Sequence, residues 1–154
     1  MELPQSAAPR FDPRDPDWER KVRESFAAQK VMATLGATLG KVAPGYCEIR
    51  LPCRDDLTQQ HGFIQAGIVS SIADNAGGYA GFSLMPVDAS VLAVEFKINF
   101  LAPADGDYLL AVGQVLKPGK TLFITRAEVY AYRTGNPPVH CAAMQQTLMN
   151  VAGK

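Results

Sequence analysis

The chain has no excess of charge of either sign, because fifteen Lys and Arg face fifteen Asp and Glu. Such a balance provides no basic surface for nucleic acid or for an anionic membrane. Cysteine and histidine are scarce. Cys47, Cys53 and Cys141 form no CxxC pair, and His61 and His140 form no cluster with them. Neither a disulfide framework nor a zinc site is thereby indicated, and free thiols in a reducing compartment are expected. No metal and no resident cofactor is expected. The opening MELPQSAAPRFDPRDPDWERK has no apolar core of the kind a secretory leader needs, so the sequence reads as cytoplasmic. It shows no internal repeat and no low-complexity tract. A length of 154 residues suits one domain with a real core.

What the chain does have is one long apolar stretch, Gln65 to Leu84, QAGIVSSIADNAGGYAGFSL, whose single charge is Asp74. A membrane span is a poor reading, since Gln65, Ser70, Ser71, Asp74 and Asn75 would lie in hydrocarbon and Pro86 follows at once. Ile68, Ile72, Ala76 and Ala80 recur every four residues, and Val69, Ala73 and Tyr79 widen the apolar face. The pattern predicts a buried helix over 65–84. Gly67, Gly77, Gly78 and Gly81 each weaken a helix by about 1 kcal/mol relative to Ala, which implies close approach of another backbone.

Around this helix the rest reads as an α+β domain. Residues 1–16, with Pro4, Pro9, Pro13 and Pro16, read as a flexible arm. Residues 17–154 form the single domain. Asp15 or Asp17 can cap a helix over 17–33, with Val22, Phe26 and Val31 or Met32 on one side. Two short strands, 36–40 and 46–52, flank the Pro44-Gly45 turn. After the central helix four meandering strands are predicted over 91–101, 108–117, 121–132 and 139–149, separated by Pro- and Gly-containing turns. The first alternates, with Leu92, Val94, Phe96, Ile98 and Phe100 on one face and Glu95, Lys97 and Asn99 on the other.

The chemistry concentrates at the start of the central helix and at Asp74. The N–H groups of Gln65, Ala66 and Gly67 lack intrahelical partners and carry the positive end of the helix dipole, which favours a developing oxyanion. Small residues at 66 and 67 allow close approach. Asp74 lies eight residues beyond Ala66, about 12 Å along the axis at ~1.5 Å per residue. One helix cannot bring both to the same carbon, so cooperation requires a second, antiparallel copy and hence a dimer. Two readings of Asp74 stay open at this point: a reacting group, or a mid-helix carboxylate satisfied by Ser and Asn neighbours.

The stretch from Gln59 to Gly81, with the later FLAPADGD and PGK segments, resembles the hotdog-fold acyl-CoA thioesterases, in particular the PaaI-like, phenylacetate-pathway type. In that family a polar Asn or Gln, a Gly three residues on, and a His-Gly-Gly lead into the hotdog helix. A catalytic Asp or Glu follows seven residues after the last Gly. Gln59, Gly62, Gln65-Ala66-Gly67 and Asp74 occupy those positions, and the resemblance spans roughly residues 34 to 150. It implies an antiparallel sheet wrapped around the central helix, with the 17–33 helix added. Two departures stand out: the family's His is Gln65 and its first Gly is Ala66. The N–H at 66 survives, whereas Gln65 cannot titrate near neutral pH as an imidazole does.

By this resemblance the substrate is an acyl-CoA with a medium-chain or aromatic acyl group, coenzyme A being part of the substrate and not a cofactor. Ala66 N–H, flanked by Gln65 and Gly67, would hold the thioester carbonyl. Asp74 of the facing subunit would activate water or attack directly, and Gln59 would orient the water or carbonyl. Lys120 is assigned to a coenzyme A phosphate or to an ordinary turn, and His61 and Gly62 to the loop at the site's mouth. His140 is assigned a structural role, as are Lys97 and Arg126 alternatively to phosphate contact. Leu84, Met85, Phe82 and Tyr79 would line an acyl pocket or belong to the core. A homodimer or dimer of dimers is implied. A non-catalytic acyl-CoA-binding hotdog protein is the competing reading, and a hotdog dehydratase ranks last for want of a matching His.

Overall fold

Residues 10–152 are described in the computed structural model of the protein. Six antiparallel strands form one sheet in the order β1-β2-β4-β5-β6-β3. They are β1 (Thr38–Ala43), β2 (Tyr46–Pro52), β3 (Ala89–Phe100), β4 (Tyr108–Pro118), β5 (Leu122–Tyr132) and β6 (Val139–Ala152). The helices are α1 (Trp18–Ala28), α2 (Lys30–Leu35) and α3 (Ala66–Phe82), with a short 3-10 turn at Asp55–Leu57. No helix among the described residues is long and apolar enough to cross a membrane.

The helix α3 lies on one face of the sheet, and its Val69, Ile72, Ala73, Ala76 and Ala80 are buried against Ile49, Leu51, Leu109, Ala111, Phe123 and Leu148. On β5 the alternation holds, with Phe123, Thr125, Ala127, Val129 and Ala131 all buried. The close approach of the α3 backbone to the sheet is at Gly113 on β4, where an added Cβ would stand 2.1 Å from the Ala76 carbonyl oxygen. Gly77 and Gly81 of α3 instead make room for side chains of Thr125, Gln146 and Leu148, and nothing lies within 4 Å of a Cβ at Gly78. The glycines therefore serve close packing, but the backbone that approaches α3 does so through a glycine of the sheet.

Several boundaries differ from expectation. The helix predicted over 17–33 is two helices, because Gln29 is extended (φ −82°, ψ 102°) and turns its side-chain amide to Asn75 Oδ1 at 2.7 Å and the Tyr79 hydroxyl at 3.0 Å. The central helix starts at Ala66, with Gln65 as its N-cap, and ends at Phe82. The first strand runs over Thr38–Ala43, since Gly36 (φ 73°) ends α2. The last four strands do not form a simple meander: β3 pairs with β6 alone, while β4 lies between β2 and β5. Residues 1–9 of the expected flexible arm lie outside the described residues. Residues 10–16 are tied down, with Arg14 donating to the Gly119 carbonyl at 2.8 Å and buried Asp15 paired with Lys21 at 3.3 Å.

The strict alternation expected on β3 is broken by a bulge at Val94, between the pairs Ala93–Leu148 and Glu95–Thr147. The extra residue moves Leu92, opposite Met149, onto the face of Glu95, Lys97 and Asn99. Phe96 and Phe100 remain on the α3 side, yet they are 44% and 49% exposed, although α3 packs against other parts of this strand. β3 is a twelve-residue edge whose outer side has no strand partner among the described residues.

Gly113→Ala is expected to destabilise the fold by about 2 kcal/mol or more, because backbone must move to admit the methyl group. A urea titration should show a lower midpoint with an unchanged slope. An unchanged midpoint would mean that α3 and β4 are not in this contact.

Candidate functional site

The loop before α3 is closed by backbone hydrogen bonds from Gln59 N–H to the Phe63 carbonyl (2.8 Å) and from Gly62 N–H to the Gln59 carbonyl (2.9 Å). Gly62 takes a left-handed conformation at φ 85°, which a side chain would strain. The Gln59 side-chain oxygen accepts from the His61 N–H. This turn delivers Gln59 to the same open cleft as Ala66. The cleft, about 460 Å³, is walled by Phe63, Ile64, Val69, Phe100 and Leu101. His61 is exposed in the loop and contributes its backbone.

Three N–H groups were expected to be free at the start of α3; one is. Gln65 N–H donates to the Leu57 carbonyl at 3.0 Å. The Gln65 side chain folds back over the helix end, its oxygen accepting from Gly67 N–H at 2.6 Å and Ile68 N–H at 3.2 Å. A Cβ at 67 would lie 2.8 Å from that oxygen, so Gly67 makes room for the cap. Ala66 N–H alone of the three has no partner among the described residues. Gln65 thus acts as an N-cap, and the donor left for a ligand is narrowed to Ala66.

Asp74 opens into a different cavity. That space, about 270 Å³, is lined by Ser25, Gln29, Asn75, Tyr79, Val91 and Ala93 among others. Asp74 Oδ1 accepts a short hydrogen bond from the side-chain amide of Gln146, a residue 1% exposed. The Gln146 oxygen in turn accepts from the buried Thr125 hydroxyl at 3.0 Å. Burial holds the Asp74 carboxyl above the usual carboxylate range, and the Gln146 hydrogen bond partly opposes this. The Ser and Asn neighbours anticipated as its partners bond elsewhere, Ser71 to the Gly67 carbonyl (2.8 Å) and Asn75 to Gln29 and to the Ser71 carbonyl (2.9 Å). Gln146 and Thr125 are the residues that sequence reasoning missed. The available signal was a Gln in a strand with almost no charge.

The other candidates are dispersed. Lys120 sits in the β4–β5 turn, where its carbonyl accepts from Asn150 at 3.2 Å near the end of β6. The Ala66 cleft reaches Cys141 at the start of β6, about 30 Å away along the strand. His140 is paired with Glu128 at 2.6 Å and stacked on Tyr130. Lys97 donates to Asn99 at 2.6 Å and Arg126 to Gln114 at 2.8 Å. Phe82, Leu84 and Met85 are core, as is Tyr79, which also borders the Asp74 cavity.

Comparison with known proteins decides the family. The description Thioesterase superfamily matches residues 61–137, half of the chain, and the solved structure of a thioesterase family protein from Silicibacter pomeroyi is 51% identical. That structure superposes with a TM-score of 0.86 over 88% of this chain and 99% of its own. The chain belongs to the thioesterase superfamily. Acyl-coenzyme A thioesterase 13 of Homo sapiens is 25% identical over 75% of this chain and 86% of its own length. The E. coli PaaI protein of the phenylacetic acid degradation operon, at 21% identity, shares the fold with a TM-score of 0.77 over 90% of this chain and 96% of its own. The fold is therefore the α+β hotdog, and the protein is a thioester hydrolase. In this hotdog thioesterase the two clefts open at separate places along α3.

The Asp74 environment has a consequence for stability. A carboxyl whose pKa is raised by folding binds its proton more tightly in the folded state. Its contribution is thus complete below the unfolded value of about 3.9 and is lost as pH rises through the folded pKa. Asp74→Asn is expected to raise the urea midpoint at pH 7, with the gain fading as pH falls to about 4. A gain that is absent at neutral pH, or independent of pH, would contradict the desolvated carboxylate.

Proposed function

We propose that this thioester hydrolase acts on acyl-CoA at a site completed by two copies of the chain. The observation that carries the reading is the division of the candidate residues into two clefts, Gln59 and Ala66 in one and Asp74 in the other. Strand β3 borders both, with Phe100 at the first and Ala93 at the second. Two β3 edges paired antiparallel about a centre near Phe96 and Lys97 would bring the Phe100 end of one beside the Ala93 end of the other. The half-site at Ala66 then meets the second copy's Asp74. The pairing also satisfies an open strand edge and covers the exposed Phe96 and Phe100.

In this reading the thioester carbonyl accepts the Ala66 N–H, and Gln59 orients the water. Asp74 removes a proton from that water as oxygen adds to the carbonyl carbon. The resulting oxyanion rests on the helix terminus. Collapse expels the coenzyme A sulfur, which takes the proton back from Asp74 and leaves the free acid. A carboxylate with a raised pKa is the stronger base, which suits the water route. The apolar walls at Phe63, Ile64, Val69, Phe100 and Leu101 suit a medium-chain or aromatic acyl group. Any contact of Lys120 with a coenzyme A phosphate would come from the second copy, because a chain's own Lys120 is far from its Ala66. The name of the human relative, an acyl-coenzyme A thioesterase, supports the substrate class. Exposed Leu92, Leu122 and Met149 line up across β3, β5 and β6 on the opposite face of the sheet, and would suit a further pairing into a dimer of dimers.

Thiol release from a panel of short, medium, long and aromatic acyl-CoAs tests the reading with two variants. Asp74→Asn removes the base. Ala66→Pro removes only the free N–H, since proline is favoured at the first helical position and Gln65 already has the extended backbone that precedes proline (φ −64°, ψ 140°). Each is expected to lower kcat by on the order of 100-fold or more, with folding and oligomer size unchanged. If the native protein binds acyl-CoA but releases thiol from none, the catalytic proposal fails and the acyl-CoA-binding alternative replaces it.

A further inference from the structure

Gln146 has no place in the pattern that links the chain to its family, yet it is the side chain that holds Asp74. Its amide hydrogens face two acceptors, Asp74 Oδ1 and, at 3.4 Å, the Asp74 backbone carbonyl. An amide oxygen turned that way would meet oxygen on both, so the NH₂ side must face α3. The Gln146 oxygen then faces Thr125, whose hydroxyl donates to it at 3.0 Å. Thr125 is 0% and Gln146 1% exposed, so neither faces bulk solvent. Among the described residues no buried side-chain oxygen or nitrogen lacks a partner. The fit extends to α3, where a Cβ at Gly77 would lie 2.5 Å from Gln146 Oε1 and 2.9 Å from Thr125 Oγ1. Any other residue at 77 would push the relay away from the helix.

We infer that Gln146 is a positioning residue for Asp74, and that Thr125 fixes the direction of its amide. This rests on the reading of Asp74 as the catalytic base. One carboxylate oxygen is held in a known orientation from inside the sheet, and the other is left for the substrate side. The relay delivers a donor to the carboxylate without delivering a charge. It therefore favours the ionised base in a desolvated place without the strong pKa depression that an ion pair would bring. The groups facing Asp74 support this view. From the region of α1 come Ser25 and Gln29, from α3 Asn75 and Tyr79, from β3 Val91 and Ala93, and from β6 Leu148. Tyr79 is the titratable one of these. The nearest carboxylate on β3, Glu95, pairs with Thr147 at 3.0 Å on the other face of the sheet.

The test measures kcat and KM against pH, with the acyl-CoA that the native protein hydrolyses fastest, for Gln146→Met, Thr125→Val and Asp74→Asn. Gln146→Met keeps length and burial but removes the donor. A hydrogen bond to a charged group of this kind is expected to shift the acid limb of the kcat profile upward by about one pH unit, with kcat reduced about tenfold or more and KM little changed. Thr125→Val keeps shape and leaves Gln146 in place, but removes the hydroxyl that donates to its amide oxygen and so weakens the hold on the amide. It is expected to move both quantities in the same direction by a smaller amount. A purely structural role would lower thermal stability without moving the acid limb.

If Gln146→Met unfolds, Thr125→Val carries the test alone, because its change is isosteric. An acid limb that stays put in a folded variant, while Asp74→Asn is inactive, overturns the positioning role and leaves the catalytic reading standing. Activity that persists in Asp74→Asn overturns both.

Discussion

The backbone of α3 rests directly on the sheet at Gly113 and Ala76, and the rest of the molecule follows from how tightly that contact is made. With no side chain at 113, the helix sinks far enough for Ile72, Ala73 and Ala76 to lose all contact with water. The same depth carries Asp74 partly into the apolar layer, where a carboxylate raises its own energy. The Gln146–Thr125 pair offsets part of that cost from within the sheet. Tight packing and a perturbed carboxyl thus have one cause.

A second constraint comes from width. One helix touches the sheet from β2 across to β3, yet leaves Phe96 and Phe100 of that edge strand exposed on its own side. Both candidate clefts border this strand, at opposite ends. The incomplete cover at this edge and the separation of Ala66 from Asp74 are answered by the same operation, a two-fold pairing at β3. A single chain is a complete fold but holds only two halves of the proposed site.

Much of this was legible in the sequence because it depends on local pattern. The α3 helix, the β4 and β5 strands and the turns at Pro44-Gly45 and Pro118-Gly119 follow from periodicity and turn chemistry. What was not legible depends on contacts between distant residues. The break at Gln29 arises from hydrogen bonds to Asn75 and Tyr79 on α3, and no local signal marks it. The Val94 bulge is set by pairing with β6, and inserts one residue into an otherwise regular alternation. Thr125 sits on the predicted buried face of its strand, but its role depends on Gln146, twenty-one residues away. Replacement of the motif His by Gln65 reads in sequence as a loss, whereas in the fold that Gln closes two of the helix's open N–H groups. The Lys120 assignment came from motif order, which carries no information about which end of the sheet a turn occupies.

The claim that two copies share each site is tested most directly by complementation. Asp74→Asn and Ala66→Pro proteins, each inactive alone, are unfolded, mixed in equal amounts and refolded together, and thiol release is measured. In a mixed dimer one site pairs the intact Ala66 of the first protein with the intact Asp74 of the second, while the other site carries both changes. Random pairing makes about half of the dimers mixed, so about a quarter of the native rate should return. A mixture that stays as inactive as its components, although mixed dimers form, would show that each chain carries its own complete site.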